Sequence, residues 1–269
     1  MADVRPYTRL LPISGSDWPG VAYGCTTRQG GVSTAEWRSL NLGAHTQDDP
    51  DAVVENRRRL TSVLPGVPLW LTQVHGTSVF DADASEIIEG GLLAKKRVDG
   101  LEPVADAAIT TQPNRVLAIM TADCAPIVLA DLEGRALAVA HAGWRGLAEG
   151  VLAATLEALA ERLPQAVGWK AWVGPCIGQA AFEVGDDVYE AFTSKDPISV
   201  QHFLPGRMPG KWQADLAGLA CHQLDKLGVQ NVECANVCTF EREDLFYSYR
   251  RSACTGRMAT LAWLSEESR

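Results

Sequence analysis

Three side chains able to bind a metal or attack a carbonyl follow one local design, an apolar run ended by a ligand-type residue next to glycine or proline. They are His75 in Gln73-Val74-His75-Gly76, Cys124 in Ala122-Asp123-Cys124-Ala125-Pro126 and His141 in Ala140-His141-Ala142-Gly143. Two imidazoles and a thiolate are ligands for a first-row metal. Three protein ligands with a fourth position open to water is the pattern of catalytic rather than structural zinc. Such an ion brings the pKa of its bound water to about 7 and supplies hydroxide at neutral pH. The same residue types also suit nucleophilic catalysis, the thiolate attacking and an imidazole relaying the proton. Spacing alone does not choose between these, because His75 stands far from Cys124, unlike the close ligand pairs of zinc fingers. A cysteine in an apolar run is also ordinary core packing. That reading covers Cys25, Cys221 and Cys234 well, and Cys124 less well, since Asp123 and Pro126 mark a strand break. His45, His202 and His222 read as surface or loop histidines, with His45 the first to reconsider. Cys234-x-x-x-Cys238 lacks zinc-knuckle spacing.

The elements that must position these residues centre on Leu117–Gly146. Val116–Met120, Ile127–Ala130 and Ala136–Ala140 are apolar runs of strand length, separated by a break at Asp123–Pro126 and turn residues at Asp131–Gly134. Near-continuous apolar runs predict strands buried on both faces. Upstream, Val21–Thr26 reads as a strand that leads to Arg28 and the Gly30-Gly31 loop. Asp49-Pro50 supplies an N-cap and a first-turn proline for a helix to about Leu64, stopped by Pro65-Gly66. Val67–Val74 reads as a strand delivering His75, with Ser78–Ala82 as its partner across a short turn, and Ile87–Arg97 as a charged, mobile connection. Downstream, Leu152, Leu156, Leu159 and Leu163 predict one amphipathic helix over Leu147–Leu163. Trp169–Val173 is a further strand, a short helix starts near Asp186, and 195–211 reads as a loop. Ala214–Leu227 is a helix closed by Gly228, and Val232–Val237 and Gly256–Leu264 are closing strands around an arginine-rich turn. The central strands are joined by connections too short for helical crossovers, so mixed sheets with outer helices are expected.

The whole chain sets bounds. At 269 residues with 46% hydrophobic and 21% charged side chains, it can bury a core as one large domain or two small ones. A net charge of −9 and a pI near 5.1 argue against a nucleic-acid or membrane-surface partner, while leaving room for a basic pocket. No run approaches the ~18 apolar residues of a membrane span, and the N-terminus lacks the apolar segment of a signal peptide. Seven scattered cysteines then predict a reduced, cytoplasmic chain.

The segments TRQGGVS, SLNLG, ENRRRL, TQVHGTSV, ADAAITT, TADCAPIVLAD, AVAHAGWRG, VGPCIGQAAFEV and DLFYSYRR resemble, in order, those of the bacterial YfiH family. Its members are variously described as laccase-domain or polyphenol oxidase proteins, purine nucleoside phosphorylases and peptidoglycan editing factors. The resemblance implies a single α+β domain over residues 1–269, of layered α-β-β type with mixed sheets and outer helices. It implies zinc, or alternatively copper, on His75, Cys124 and His141. It also implies phosphorolysis of adenosine, inosine, guanosine and methylthioadenosine, with deamination of adenosine. Cys124, His141, Arg28 and Asn41 are then the candidate catalytic residues. Arg28, Arg57, Arg145 and His45, with Arg250, are candidates for substrate and phosphate, although each arginine also has an ordinary structural reading. A nucleoside and phosphate would be the partners of a monomer or weak homodimer. The alternative is a cysteine amidase that edits serine-containing peptidoglycan precursors. Copper polyphenol oxidation is weaker, because several copper centres need more than five histidines.

Overall fold

In the strand Leu117–Thr121 every residue is buried, so neither face can look at solvent. Leu117 and Ile119 enter one apolar cluster, and Ala118 and Met120 enter another, as the period-two alternation of a strand requires. This double burial recurs through the chain and makes the fold layered. The computed structural model describes residues 10–84 and 102–266; the charged connection at Ile87–Arg97 lies outside them.

The larger sheet has six strands: β2 (Val79–Asp81), β3 (Ala107–Thr110), β5 (Ala125–Asp131), β6 (Leu137–Ala142), β7 (Trp169–Val173) and β11 (Asn231–Cys234). Their order is β11-β7-β5-β6-β3-β2, antiparallel in the middle and parallel at both edge pairs. A second, antiparallel sheet joins β1 (Val21–Cys25), β12 (Met258–Leu264) and β4 (Leu117–Thr121) in the order β1-β12-β4. The two sheets pack face to face through Val128, Val139 and Trp172 on one side and Leu117, Ile119 and Met258 on the other. On the outer face of the six-stranded sheet, Ile127, Leu129 and Ala138 meet Leu152 and Leu159 of α3 (Val151–Arg162) and Leu219 and Leu224 of α5 (Leu216–Lys226). The far side of the smaller sheet is covered by Leu40, Leu42, Trp70 and Leu60, the last from α1 (Pro50–Thr61). The layered α+β arrangement with mixed sheets and outer helices is therefore the one observed. A small sheet, β8 (Glu183–Gly185)-β10 (Lys211–Ala214)-β9 (Phe203–Pro205), borders it beside α4 (Asp186–Thr193). No helix among the described residues is long and apolar enough to cross a membrane.

Four expectations change. The helix expected over Leu147–Leu163 is two helices, α2 (Trp144–Glu149) and α3, because Gly150 adopts a left-handed φ of 103° between them. Val67–Val74 is buried at Leu69–Leu71 but makes only isolated bridges, Leu69 to Leu117 and Thr72 to Val104. Ser78–Ala82 does not pair with it; β2 instead runs parallel to β3, the Ser78 carbonyl accepting from the N–H groups of Asp106 and Ala107. The segment 195–211 holds a short 3-10 helix (Pro197–His202) and β9.

Candidate metal centre and its cavity

Cys124 sits on the connection from β4 to β5, directly after Asp123, whose φ of 103° is unusual for a residue with a side chain. Three donors hold that conformation: Asp123 accepts from Thr239 Oγ1 at 2.7 Å, Ser248 Oγ at 2.9 Å and the Arg250 N–H at 2.7 Å. Its buried carboxylate is a clamp on the segment 239–250. His141 is the penultimate residue of β6, paired across the ladder with Pro126. Its Nδ1 lies 2.8 Å from Asp106 Oδ1, and its backbone N–H donates to the Asp106 carbonyl at 2.7 Å. His75, at φ 61°, donates its backbone N–H to the same carboxylate at 2.9 Å, flanked by Val74 at 3.1 Å and Gly76 at 2.7 Å. Asp106 is fully buried and thus fixes one ligand by its ring and another by its backbone.

The ligand atoms of His75, Cys124 and His141 lie within 4.8 Å of one another, with Cys124 Sγ 3.8 Å from His75 Nε2. The two imidazoles stand edge to face with centroids 4.7 Å apart. Burial pushes the Cys124 thiol up, but the charge and hydrogen bonds of His141 and His75 outweigh it and bring the group down to about 6. Burial likewise opposes the His141 imidazolium, while the Cys124 thiolate and Asp106 raise it to about 9. These residues fit a zinc or copper ion: one ready thiolate, and a His141 ring whose Nδ1 is occupied by Asp106 so that Nε2 is presented. Gly143, at the head of α2, leaves them room. A Cβ there would lie 2.7 Å from His75 Cδ2 and 3.0 Å from Cys124 Sγ.

The three ligands form part of the lining of a cavity of about 390 Å³. Its apolar and aromatic wall is Trp144, Ile177, Phe182, Leu216 and Tyr249, and its cations are Arg145, Arg250 and Arg257. Arg250 donates to the Glu183 carbonyl at 2.7 Å and lies over the Phe182 ring; Arg257 Nη1 is held by the carbonyls of Thr255 and Gly256. Arg145 is exposed and lies over Trp144. His45 also lines the space, its imidazole lowered by desolvation and then by the charges of Arg257 and Arg57.

Residues 22–265 match the family described as multi-copper polyphenol oxidoreductase laccase. A Pseudomonas aeruginosa protein named purine nucleoside phosphorylase is 46% identical, over 93% of this chain and 97% of its own. The Escherichia coli purine nucleoside phosphorylase YfiH is 43% identical, over 92% and 96%. The chain belongs to the YfiH family. A crystal structure of a Neisseria meningitidis member has a TM-score of 0.81 at 41% identity, covering 94% of this chain and 99% of that one.

Within this YfiH-family fold, His75, Cys124, His141, Arg145 and His45 converge, whereas Arg28, Arg57 and Asn41 do not line the cavity. Arg28 donates to the carbonyls of Arg38 and Glu243 and lies over Tyr247, bracing a loop elsewhere. Arg57 pairs with Glu102 at 2.9 Å, donates to the Leu42 carbonyl and lies over Trp70. Asn41 is buried and accepts from the N–H groups of Gly43 and Arg257, so it positions a cavity arginine from behind. Asp106 and Arg257 were not singled out by the sequence. The glycine-arginine step in the arginine-rich turn was a signal for Arg257; Asp106 carried none, since its partners lie on two distant segments, 74–76 and 141. Among the described residues, the histidines come together in one three-ligand group and in no multinuclear cluster. Only His75 and His141 join the three-ligand group, while His202 and His222 pair elsewhere, the latter against Asp196. Met120 also lines the cavity, its sulfur accepting from Arg57 Nη2 at 3.8 Å.

Proposed function

We propose that this chain cleaves purine nucleosides by phosphorolysis in the cavity over His75, Cys124 and His141. The carrying observation is that one cavity joins this ligand set to three arginines and an aromatic wall, within a volume suited to a nucleoside. Relatives named purine nucleoside phosphorylase support the reading. In the reaction an oxygen of hydrogen phosphate attacks C1′, the C1′–N9 bond breaks with its electrons passing to the purine, and the proton of the hydrogen phosphate ends on the departing base. Arg145, Arg250 and Arg257 hold the phosphate, the guanidinium fork matching its oxygens. Trp144, Phe182 and Tyr249 cover the base and keep water from C1′. His45, held below its ordinary value, is neutral at pH 7 and offers one donor and one acceptor to the ribose hydroxyls. Zinc on the three ligands would supply Lewis acidity beside the bound substrate. Deamination of adenosine, in which water adds at C6 and ammonia leaves, is the second activity assigned to the same cavity, and it makes no use of phosphate.

The test follows adenine and inosine release from adenosine with and without phosphate, from about pH 5.5 to 8.5. Adenine release that requires phosphate, with a pH profile different from that of inosine release, is expected. Phosphate-independent adenine release contradicts the assignment.

A cysteine amidase is a second reading, favoured by the lowered Cys124 thiol and the Asp106-oriented His141. There the thiolate attacks an amide carbonyl and His141 delivers the proton to the leaving amine. An acyl-enzyme on Cys124 after incubation with serine-containing peptidoglycan fragments, detected by mass spectrometry and suppressed by zinc, would favour it.

A further inference from the structure

Outside the cavity, two more sulfur atoms meet. Cys221 lies on α5 and Cys234 ends β11, and their Sγ atoms are 2.8 Å apart, inside the van der Waals separation of two sulfur atoms. Both are half-buried, at the edge of the cluster that packs helices on the six-stranded sheet. A disulfide, at roughly 2.05 Å, needs under about 1 Å of further approach. Other thiols differ. Cys25 and Cys176 are buried, Cys254 is exposed, and Cys238 Sγ accepts the Gly178 N–H at 3.1 Å.

We propose that Cys221 and Cys234 are a redox-modification site, closed to a disulfide by a peroxide and reopened by a small dithiol. In this assignment Cys234, at the end of β11, attacks and Cys221, within α5, resolves; either sulfur can hold the proton between them. The Cys234 thiolate attacks one peroxide oxygen, the O–O bond breaks, and the departing hydroxide becomes water, leaving a sulfenic acid. The Cys221 sulfur then attacks Cys234, the S–S bond forms, the S–O bond breaks, and hydroxide leaves with the Cys221 proton as a second water. Two thiols and one peroxide thus give one disulfide and two waters. The bond ties α5 to β11. The first residue of α5, Leu216, lines the cavity, and the chain beyond β11 supplies Thr239 and Ser248 to the Asp123 clamp.

The experiment treats the zinc-supplemented full chain with one equivalent of hydrogen peroxide at pH 7, alkylates the remaining thiols and maps cross-linked peptides by mass spectrometry. A Cys221–Cys234 peptide that disappears with dithiothreitol is expected, with oxidation of the exposed Cys254 at least about tenfold slower. In Cys221→Ser, Cys234 should accumulate as a dimedone-reactive sulfenic acid; in Cys234→Ser, Cys221 should stay alkylatable. Unchanged circular dichroism of both variants certifies the fold. Persistence of both thiols in the native protein while Cys254 oxidises overturns the proposal, as does a cross-link from either cysteine to Cys238 or to a second molecule.

Discussion

Asp106 accepts four hydrogen bonds to its side chain, one from the His141 ring and three from the consecutive N–H groups of residues 74–76. Replacing it with asparagine turns one acceptor into a donor that faces other donors. Asp106→Asn should therefore weaken zinc binding by about 10–100-fold, the range for groups that orient metal ligands. Competition with a chromophoric chelator measures this, and unchanged affinity would remove Asp106 from the site's architecture. The ligand pair itself has a pH signature when stripped of metal. The Cys124 value, lowered to about 6, means that its thiolate persists above that pH, while the associated stability is full above the unfolded value of about 8.5 and is lost as pH falls through about 6. The His141 value, raised to about 9, means that its charge is lost as pH rises through that point, so the ion pair occupies the window between. Iodoacetamide should accordingly label Cys124 of the metal-free chain with a midpoint near pH 6 instead of about 8.5, and metal should protect it. A midpoint above pH 8 would show that the imidazoles do not stabilise the thiolate.

Two glycines separate space from conformation at the level of elements. Gly143 has a normal extended φ, but its missing side chain is the space taken by His75 and Cys124. Gly150 has a left-handed φ, and a Cβ added there would meet nothing within 4 Å. Gly143→Ala should lower zinc affinity by more than about tenfold while destabilising by about 1–3 kcal/mol through overpacking. Gly150→Ala should cost a similar ~1–2 kcal/mol from backbone strain and leave zinc affinity unchanged. Urea midpoints and zinc titrations of the two variants check the pair, and equal zinc affinities would contradict the close approach at Gly143. Local chemistry made many elements legible in the sequence: Asp49 does cap α1, whose first residue is Pro50, and Gly228 follows α5 with a φ of 79°. The ends of β4 and β6 were visible, to within two residues, as the apolar runs that stop at Met120 and Ala140. Pairing was less legible, because β2 finds β3 through contacts that no local pattern encodes. Gly150 looked tolerable inside a leucine periodicity, yet its conformation splits the helix.

Across the whole molecule, a net charge of −9 coexists with a cavity carrying three arginines, against one acidic group, Asp123, already saturated by donors. An anion must approach through an unfavourable far field to a favourable near one. Arg145→Gln should raise the KM for phosphate by about tenfold, the scale of one charge-assisted hydrogen bond, with kcat much less affected. Steady-state rates against phosphate concentration test it, and an unchanged KM would take Arg145 out of the anion site. The grouping of His75, Cys124 and His141 as candidate ligands was legible from three residues that end apolar runs, but only the fold reveals that Arg28 and Arg57 are braces while Arg257 faces the cavity. Those assignments depend on which carbonyls and rings a guanidinium reaches, and sequence order carries no such information. The most direct measurement is hypoxanthine release from inosine by zinc-loaded native chain and by Cys124→Ala, each with and without phosphate. The account predicts release by the native chain only when phosphate is present, with ribose 1-phosphate formed in equal amount, and a loss of at least about 100-fold in the variant. Undiminished phosphorolysis by Cys124→Ala, or release that ignores phosphate, would contradict it.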